Sequence, residues 1–380
     1  MAAASRLVFG AMSGTSIDGV DVAAVRVHGR GLEMRAEPLG MESGQFEPTG
    51  LADALRGVQR GGAVSALRVA ELARNIGLTY ARVAQRLVER VGRPDLIVAH
   101  GQTLAHAPPL SLQLIDPFPI SQLLGCTVVS GLRGADLAAG GQGAPITPLA
   151  DWILYRSPDA ARVIINLGGF ANATVLPRNG TPDALGQIQG FDICLCSQLL
   201  DHAARLALGK PFDRDGAAAN SARPDERLVA ALRAPLEAQA KSGRSLGTAD
   251  ECVEIIDQHR AGTSAAVLLA SACSAIGNVI ERSIATRSPT AAQWIVAGGS
   301  AANRALVAAI GHGATLSDQV GIPIQAREAV EMAVLGALAQ DGVSITLAAV
   351  TGARSAAPTG LWTGATTTRL PGAVAGAIPN

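Results

Sequence analysis

The stretch GAMSGTSIDGVDV, residues 10–22, places the polar loop SGTSIDG between two apolar segments. The flanking segments, LVFGAM and VDVAAVRV, predict two strands joined by that loop. Glycine accepts a positive φ and has no side chain, so successive backbone N–H groups in such a loop can converge on one anion. Serine and threonine hydroxyls add donors, and aspartates suit a divalent cation. We therefore interpret the loop as a phosphate-binding turn.

Two later glycine sites resemble the first. Residues 162–177, RVIINLGGFANATVLP, predict a second hairpin, and residues 294–310, WIVAGGSAANRALVAAI, predict a strand, two glycines and a helix. The N-terminus of such a helix suits a ribose or an α-phosphate. The candidate nucleotide contacts at these sites are Asn166, Gly168, Gly169, Gly298, Gly299 and Asn303. Three such sites favour a nucleotide ligand, while the P-loop and dinucleotide-fold motifs are absent from the sequence.

Composition narrows the class of protein. The 380 residues have a formal net charge of zero and no isolated basic run, which argues against nucleic acid or an anionic membrane as partner. Five scattered cysteines indicate a reducing cytoplasm rather than a disulfide framework. The uncharged stretch 261–280 contains hydroxyl residues, a glycine and an asparagine, so we expect a buried helix rather than a membrane span.

The order of patterns predicts an α/β protein with an internal duplication. Strand-like and helix-like segments alternate along the chain, and each half opens with a glycine-turn hairpin. We place a first domain at residues 1–156 and a second at 157–355. Residues 356–380, rich in Gly, Ala, Pro and Thr, predict a loosely ordered tail.

Many segments resemble one family, the anhydro-N-acetylmuramic acid kinases, within the actin, sugar-kinase and heat-shock ATPase superfamily. They follow the family order over nearly the whole chain, and AAGGQGAP together with GTSIDGVD is specific to this family among sugar kinases. The matching stretches are GAMSGTSIDGVD (10–21), AHGQTLAHAPP (99–109), LQLIDP (112–117), ADLAAGGQGAPITPLAD (135–151), INLGGFANAT (165–174), GFD (190–192), FDRDG (212–216), VAGGSAANRAL (296–306), REAVEMAVLGALA (327–339) and LAAVTGAR (347–354).

The resemblance implies two RNase H-like, actin-like ATPase domains with a nucleotide cleft between them. It implies that ATP, Mg²⁺ and water open the 1,6-anhydro bridge of an amino sugar from the cell wall and phosphorylate O6. The products would be N-acetylmuramic acid 6-phosphate and ADP, in peptidoglycan recycling. A possible homodimer follows from the same analogy, whereas the cytoplasmic location rests on the cysteine pattern.

The resemblance also assigns residues. The family's catalytic base falls on Asp192, and Asp18 is the candidate magnesium ligand. The sugar side is assigned to Glu328, His100 and Gln102. The ATP-binding loop comprises Gly14, Thr15, Ser16, Ile17, Asp18, Gly19, Val20 and Asp21.

Other interpretations stay open from the sequence. Asp192 precedes the segment ICLCSQLLDHAARLAL, which reads as helical, so it also fits an N-cap. The family's Gly-rich turn after this aspartate is replaced by ICLCS, residues 193–197; AKSGRSLGT at 240–248 is shortened, and Gly131–Leu132–Arg133 replaces Asp-Phe-Arg. The chain is then either an active kinase of the family or a diverged member: a kinase for another sugar, or a non-catalytic nucleotide-binding pseudokinase.

Overall fold

The structure, a computed structural model, describes residues 5–242, 250–355 and 359–364. The chain divides into two compact units. Unit 1 contains the described residues up to Leu154 and again from Glu328 onward, and unit 2 runs from Tyr155 to Arg327. The chain therefore starts one unit, builds the other and returns to the first.

The described residues form thirteen strands. In chain order they are β1 (Ser5–Met12), β2 (Val20–His28), β3 (Arg35–Gly44), β4 (Leu96–Ala99), β5 (Gln102–Ala107), β6 (Leu110–Leu114), β7 (Thr127–Ser130), β8 (Arg162–Leu167), β9 (Phe170–Leu176), β10 (Gln189–Leu195), β11 (Gln293–Ala297), β12 (Thr315–Leu316) and β13 (Leu361–Thr363).

The helices alternate with these strands, as the sequence predicts for an α/β protein. They are α1 (Leu51–Gln59), α2 (Ala66–Val91), α3 (Phe118–Leu124), α4 (Gly134–Ala138), α5 (Pro148–Tyr155), α6 (Ser197–Leu208), α7 (Glu226–Ser242), α8 (Asp250–His259), α9 (Ala265–Ala285), α10 (Arg304–Ile310), α11 (Arg327–Gln340) and α12 (Ala348–Thr351).

Unit 1 is built on a six-stranded sheet with the order β13-β7-β4-β1-β2-β3. The pairs β1–β2 and β2–β3 are antiparallel, whereas β1–β4 and β4–β7 are parallel. Strand β13 joins the edge antiparallel to β7, and β5 and β6 form a separate hairpin. The loop between β1 and β2 is the stretch SGTSIDG.

Unit 2 repeats this plan in a five-stranded sheet with the order β10-β9-β8-β11-β12. Here β8–β9 and β9–β10 are antiparallel, and β8–β11 and β11–β12 are parallel. Numbered from the first strand of each unit, both sheets therefore contain the order 3-2-1-4-5 with the same orientations, which is the RNase H-like arrangement. The predicted α/β class and the internal duplication are confirmed.

Each unit has its own apolar core. In unit 2, α6, α7 and α9 cover one face of the sheet, with Val163, Ile165 and Leu167 of β8 among the buried residues. In unit 1, α2 packs its apolar side, including Leu72 and Ile76, against β1 and β2. Such burial is the main source of stability in a domain of this size.

Helix α9 explains the long uncharged stretch of the sequence. Within the described residues it is the one helix long and apolar enough to cross a membrane, with a mean hydropathy of 1.3. However, 72% of that apolar window is buried, and its residues belong to the core of unit 2. Ser264 caps its N-terminus by accepting a bond from the N–H of Val267 at 3.3 Å. The structure thus has the buried core helix that the sequence predicts.

The unit boundaries differ from the predicted domains at the C-terminal side. Residues from Glu328 onward, including α11 and α12, belong to unit 1 rather than to the second domain. The reason is packing, because α11 lies so close to β1 that Gly10 faces the backbone of Ala329 and Ala333. Within the predicted tail, Leu361–Thr363 form the edge strand β13; residues 356–358 and 365–380 lie outside the described part of the chain.

Candidate active site

The loop between β1 and β2 turns different side chains to opposite sides. Thr15, Ser16 and Asp18 are exposed, whereas Ser13 is buried. Ile17 is fully buried in the core of unit 1 and has φ +56°, a left-handed conformation that is strained for a β-branched residue. The side chain of Ile17, like that of Val20, is therefore a core residue, and only its backbone remains available to a nucleotide.

Three carbonyl groups of this loop are held by protein donors. Gly14 O accepts from Gln102 Nε2 at 3.1 Å and from the N–H of Ile17 at 3.2 Å. From α1, Gln59 Nε2 donates to Thr15 O at 3.4 Å and Arg56 Nη2 donates to Ile17 O at 2.7 Å.

Fixing these carbonyls also orients the loop's N–H groups. In a trans peptide the C=O of one residue and the N–H of the next point in opposite directions. The N–H groups of Thr15, Ser16 and Asp18 are therefore directed away from the protein donors. Within the described residues none of these three N–H groups donates to a protein acceptor. Together with the exposed hydroxyls of Thr15 and Ser16, they leave the loop with several donors that an anion could use.

A buried polar network lies beneath the loop. Ser13 Oγ donates to Gln102 Oε1 at 2.9 Å, and the hydroxyl of Tyr80 on α2 lies 3.0 Å from Ser13 Oγ and 2.8 Å from the carbonyl oxygen of His100. Burial raises the pKa of Tyr80, so its hydroxyl stays protonated. Sequence reasoning did not identify Tyr80, because an aromatic residue on the apolar side of α2 carries no local sign of this partner.

His100 is a neutral side chain in this network. Burial, followed by the charge of Arg133, lowers the pKa of His100 to about 3. Arg133 Nε donates to His100 Nε2 at 3.1 Å, which makes that nitrogen the acceptor and places the ring proton on Nδ1. With 7% of its surface exposed, His100 is placed to hold Arg133 rather than to act as a charged group.

The glycine loop that follows α4 is anchored from several sides. Arg133 Nη1 donates to Gly143 O at 2.7 Å, and the N–H of Gly143 donates to Asp136 Oδ2 at 2.7 Å. Thr351 of α12 donates its hydroxyl to Asp136 Oδ1 at 2.6 Å. A Cβ at Gly141 would overlap the Asp136 carboxylate, which explains the glycine. Arg133, Asp136 and Thr351 were not among the predicted site residues.

Two carboxylates of unit 1, Asp18 and Glu328, act on a third, Asp21. Asp21 follows the loop on β2, and Ser43 Oγ donates to its Oδ1 at 2.5 Å. Burial raises the pKa of Asp21, and Asp18 and Glu328 raise it further against the lowering effect of Ser43. The structure thus brings the predicted magnesium ligand Asp18 and the predicted sugar contact Glu328 into the same electrostatic environment.

The carboxylates near the loop suit a magnesium ion that takes its remaining ligands from water and from a bound phosphate. In the described part of the chain no group of three or more His, Cys, Asp or Glu side chains is arranged to hold a metal ion by itself. Magnesium commonly takes one or two carboxylates and completes its shell with water and phosphate oxygens. The exposed carboxylate of Asp18, beside the donors of the loop, fits that role.

In unit 2, three polar residues form one row across the sheet. Asn166 on β8 lies opposite Asn172 on β9, and Asn172 lies opposite Asp192 on β10. Directly opposed residues of antiparallel strands point to the same face. The row therefore combines a carboxylate and two amides next to the turn Gly168–Gly169. Asn172 was noted in the motif but not among the predicted contacts.

Asp192 is not a helix cap. It lies within β10, where a bulge follows it between Asp192 and Cys194, and helix α6 starts only at Ser197 with Cys196 as its N-cap residue. The interpretation of 193–195 as helix is wrong, because pairing with β9 extends the strand to Leu195. A half-buried aspartate in a strand has no capping role, so this alternative is removed.

The ICLC segment that departs from the family pattern is part of the core. Ile193, Cys194, Leu195 and Cys196 are all fully buried in the apolar cluster of unit 2. Burial raises the pKa of both thiols, so these cysteines are packing residues and not nucleophiles. The backbone of Cys196 and Ser197 donates to Gly169 O and Gly168 O at 2.9 and 3.0 Å, which attaches α6 to the glycine turn. Most of AKSGRSLGT, residues 243–248, lies outside the described residues.

The third glycine site lies against the second. Gly298 has φ +90°, and a Cβ there would come within 2.6 Å of Asn166 Oδ1 and 2.8 Å of the backbone of Leu167. Gly299 begins a short 3₁₀ turn, Gly299–Ala302, at this point. The structure therefore brings Asn166, the turn Gly168–Gly169 and Gly298–Gly299 together in unit 2.

Asn303 has a structural role that differs from the prediction. It is the N-cap of α10, not a residue inside a helix, and its Oδ1 accepts from the N–H of Leu306 at 3.1 Å. Gly216, with φ +67°, packs directly against this side chain. Asp213 supports the neighbouring turn by accepting from the N–H groups of Ala218 and Ala219, both at 2.9 Å. Asn303 thus stabilises the start of α10, and its Oδ1 is already hydrogen-bonded to Leu306.

Two RNase H-like units in one chain define the class of actin-like ATPases and sugar kinases, and the comparisons identify the family within it. A family model described as anhydro-N-acetylmuramic acid kinase matches residues 6–364. The anhydro-N-acetylmuramic acid kinase of Salinibacter ruber is 32% identical over 382 residues, covering 93% of this chain and 95% of the relative. The enzyme of that name from Gloeobacter violaceus is 33% identical, covering 93% and 97%.

The chain belongs to the anhydro-N-acetylmuramic acid kinase family. It is therefore a sugar kinase, a phosphotransferase that acts on a small-molecule sugar. Among solved structures, the ROK hexokinase from Thermus thermophilus is similar with a TM-score of 0.32 and 14% identity, covering 88% of this chain and 98% of that one. At that distance the fold assignment rests on the strand order of the two units.

Proposed function

We propose that this chain uses ATP and water to open 1,6-anhydro-N-acetylmuramic acid and to phosphorylate O6, giving N-acetylmuramic acid 6-phosphate and ADP in peptidoglycan recycling. The observation that carries the proposal is the family match, which extends over residues 6–364 and over 93% of the chain in full-length relatives. A match of that extent includes both glycine-turn hairpins and α11.

We assign Asp192 as the general base. It takes a proton from a water molecule that attacks the anomeric carbon, the C1–O6 bond breaks, and O6 attacks the γ-phosphorus as ADP leaves. A carboxylate at the end of a row of amides is suited to this role, because Asn166 and Asn172 are polar neighbours without a charge of their own.

In this proposal, the loop of unit 1 between β1 and β2 binds the phosphates of ATP. The N–H groups of Thr15, Ser16 and Asp18, aimed outward by the anchored carbonyls, bind phosphate oxygens, and Asp18 holds magnesium. Bound magnesium neutralises charge on the transferring phosphoryl group. Asp18 and Glu328 both act electrostatically on Asp21, and this accumulation of carboxylates favours a cation near Asp21.

A diverged activity is the second candidate, favoured by the replacement of the Gly-rich turn after Asp192. Because the side chains of Ile193–Cys196 are buried in the core of unit 2, an effect of the replacement on the site would pass through the backbone beside Asp192. A kinase for another sugar or a non-catalytic nucleotide-binding protein would retain the loop of unit 1 and lack turnover with the anhydro sugar.

One assay separates these candidates. Purified protein is given magnesium ATP with and without 1,6-anhydro-N-acetylmuramic acid, ADP is followed by a coupled reaction, and the sugar product is weighed by mass spectrometry. Sugar-dependent ADP release with a phosphosugar supports the proposal. ATP binding without turnover supports the diverged alternative.

We also propose a cytoplasmic location and a homodimer. The five cysteines are free and buried, as in proteins of a reducing compartment. The homodimer is proposed by family analogy alone, and light scattering of the purified protein tests it; a monomeric mass contradicts it.

A further inference from the structure

Gln102 is fully buried at the start of β5, and its amide is hydrogen-bonded to three protein groups. Its Oε1 accepts from Ser13 Oγ at 2.9 Å, and its Nε2 donates to Gly14 O at 3.1 Å and to Thr103 O at 3.3 Å. A side-chain amide has two N–H donors, so both are used. A sugar would reach this amide only by displacing one of these bonds.

We infer that Gln102 is a positioning residue for the phosphate loop of unit 1 and does not contact the sugar. This inference rests on the proposed function, because it assumes that the loop binds the phosphates of ATP. It replaces the expectation from family resemblance that Gln102 belongs to the sugar side.

The orientation of the amide follows from its partners. Gly14 O is only an acceptor, so Nε2 must face it, and Oε1 must then face Ser13. The Ser13 hydroxyl therefore donates to Gln102. The single proton of the Tyr80 hydroxyl is then shared between Ser13 Oγ and His100 O. The bonds run in one direction, from Tyr80 through Ser13 and Gln102 to Gly14.

The hydrogen bond from Gln102 Nε2 to Gly14 O sets the orientation of the loop peptide. Holding Gly14 O inward directs the N–H of Thr15 outward, because the two groups lie on opposite sides of one planar peptide. Without the Gln102 donor, Gly14 O keeps only the longer bond from Ile17, at 3.2 Å. The peptide is then free to rotate and to present its carbonyl oxygen, which repels phosphate.

Three substitutions separate positioning from general damage. Gln102→Glu keeps an acceptor for Ser13 but removes the donor to Gly14 and puts a carboxylate against a carbonyl oxygen. Ser13→Ala removes the bond to Oε1 and keeps the donor to Gly14. Gln113→Glu is the matched control, since Gln113 lies on the same hairpin opposite Thr103 and donates to Ser111 Oγ at 2.7 Å.

The experiment measures the Kd for magnesium ATP by direct titration of the full chain and, separately, the KM for the anhydro sugar at saturating ATP. Gln102→Glu is expected to raise the Kd for ATP about tenfold or more. Ser13→Ala is expected to raise it less, and Gln113→Glu to leave it unchanged. The KM for the sugar stays within about twofold of the parent in all three variants.

The opposite pattern overturns the inference. A raised sugar KM with an unchanged ATP Kd in Gln102→Glu assigns Gln102 to the sugar. An unchanged Kd and KM shows that the bond to Gly14 does not matter. If Gln102→Glu does not fold, an ATP Kd of Ser13→Ala equal to the parent's overturns the inference. A parent protein that fails to bind ATP contradicts the proposed function itself, and the inference falls with it.

Discussion

Asp192 is the residue on which the proposed chemistry depends. We expect Asp192→Asn to reduce turnover by about 10²-fold or more, because an amide cannot accept the proton from water, while ATP binding is kept. ADP release in the coupled assay and a direct ATP titration measure the two effects. Asp183→Asn is the matched control, as Asp183 is an exposed aspartate of the same unit. Equal turnover of Asp192→Asn and parent would remove Asp192 from the mechanism.

His100 gives a pH-dependent prediction. Its pKa is lowered to about 3 in the folded protein, against about 6.5 in an unfolded chain. The unfolded state therefore binds a proton that the folded state does not, so His100 contributes stability above pH 6.5 that is lost as the pH falls towards 3.

Replacing His100 removes this dependence. Between pH 6 and pH 4 the free energy of unfolding of the parent is expected to fall more steeply than that of His100→Asn, by about 1.4 kcal/mol per pH unit. Urea unfolding at a series of pH values measures both slopes. Parallel slopes would mean that His100 is protonated in the folded protein.

For individual residues, the sequence predicts which residue types form the site better than it predicts what each residue does. The glycines, hydroxyls and aspartates of the first loop follow from local chemistry. The role of Asn303 as a cap and of Ile17 as a core anchor depends on which side of the backbone faces the interior. Tyr80 lies 67 positions from Ser13, so its contact follows only from the packing of α2 on the sheet.

At the scale of elements, two glycines provide a paired test of helix packing. Gly10 on β1 faces α11 so closely that a Cβ would overlap Ala329 O and Ala333 N, whereas Gly57 on α1 has nothing within 4 Å of a Cβ. Gly10→Ala is expected to destabilise the protein by about 3 kcal/mol or more, since backbone atoms must move. Gly57→Ala is expected to stabilise it by about 0.5–1 kcal/mol.

Thermal or chemical unfolding of both variants measures this difference. The two substitutions add the same methyl group, so opposite signs isolate the packing of α11 on β1. A Gly10→Ala variant as stable as the parent would show that the helix and strand separate easily.

Elements are predictable from sequence where their pattern is local. Helix α2, Ala66–Val91, is such an element, because Ser65 caps its start and Gly92 follows its end. The segment 193–195 was misread because its apolar run fits a helix as well as a strand, and only its partner β9 decides. The membership of α11 in unit 1 depends likewise on a contact with a strand more than 300 residues earlier.

For the whole molecule, ATP binding predicts a measurable stabilisation. Magnesium ATP at about 100 times its Kd adds about 2.7 kcal/mol to the folded state, which corresponds to roughly 3–4 °C in melting temperature for a chain of 380 residues. Asp18→Asn is expected to lose the part of this shift that requires magnesium, and exposed Glu33→Gln serves as the control. A full magnesium-dependent shift in Asp18→Asn would assign the metal to other ligands.

The order of the chain has a consequence for biosynthesis. Since unit 1 needs α11, and α11 follows the whole of unit 2, the ribosome finishes unit 2 before unit 1 can close. The apolar side of β1 that α11 will cover has to wait uncovered through more than half of translation, a period in which a nascent chain is prone to aggregate. A truncated product that stops before residue 327 is then expected to contain a folded unit 2 attached to an unfinished unit 1.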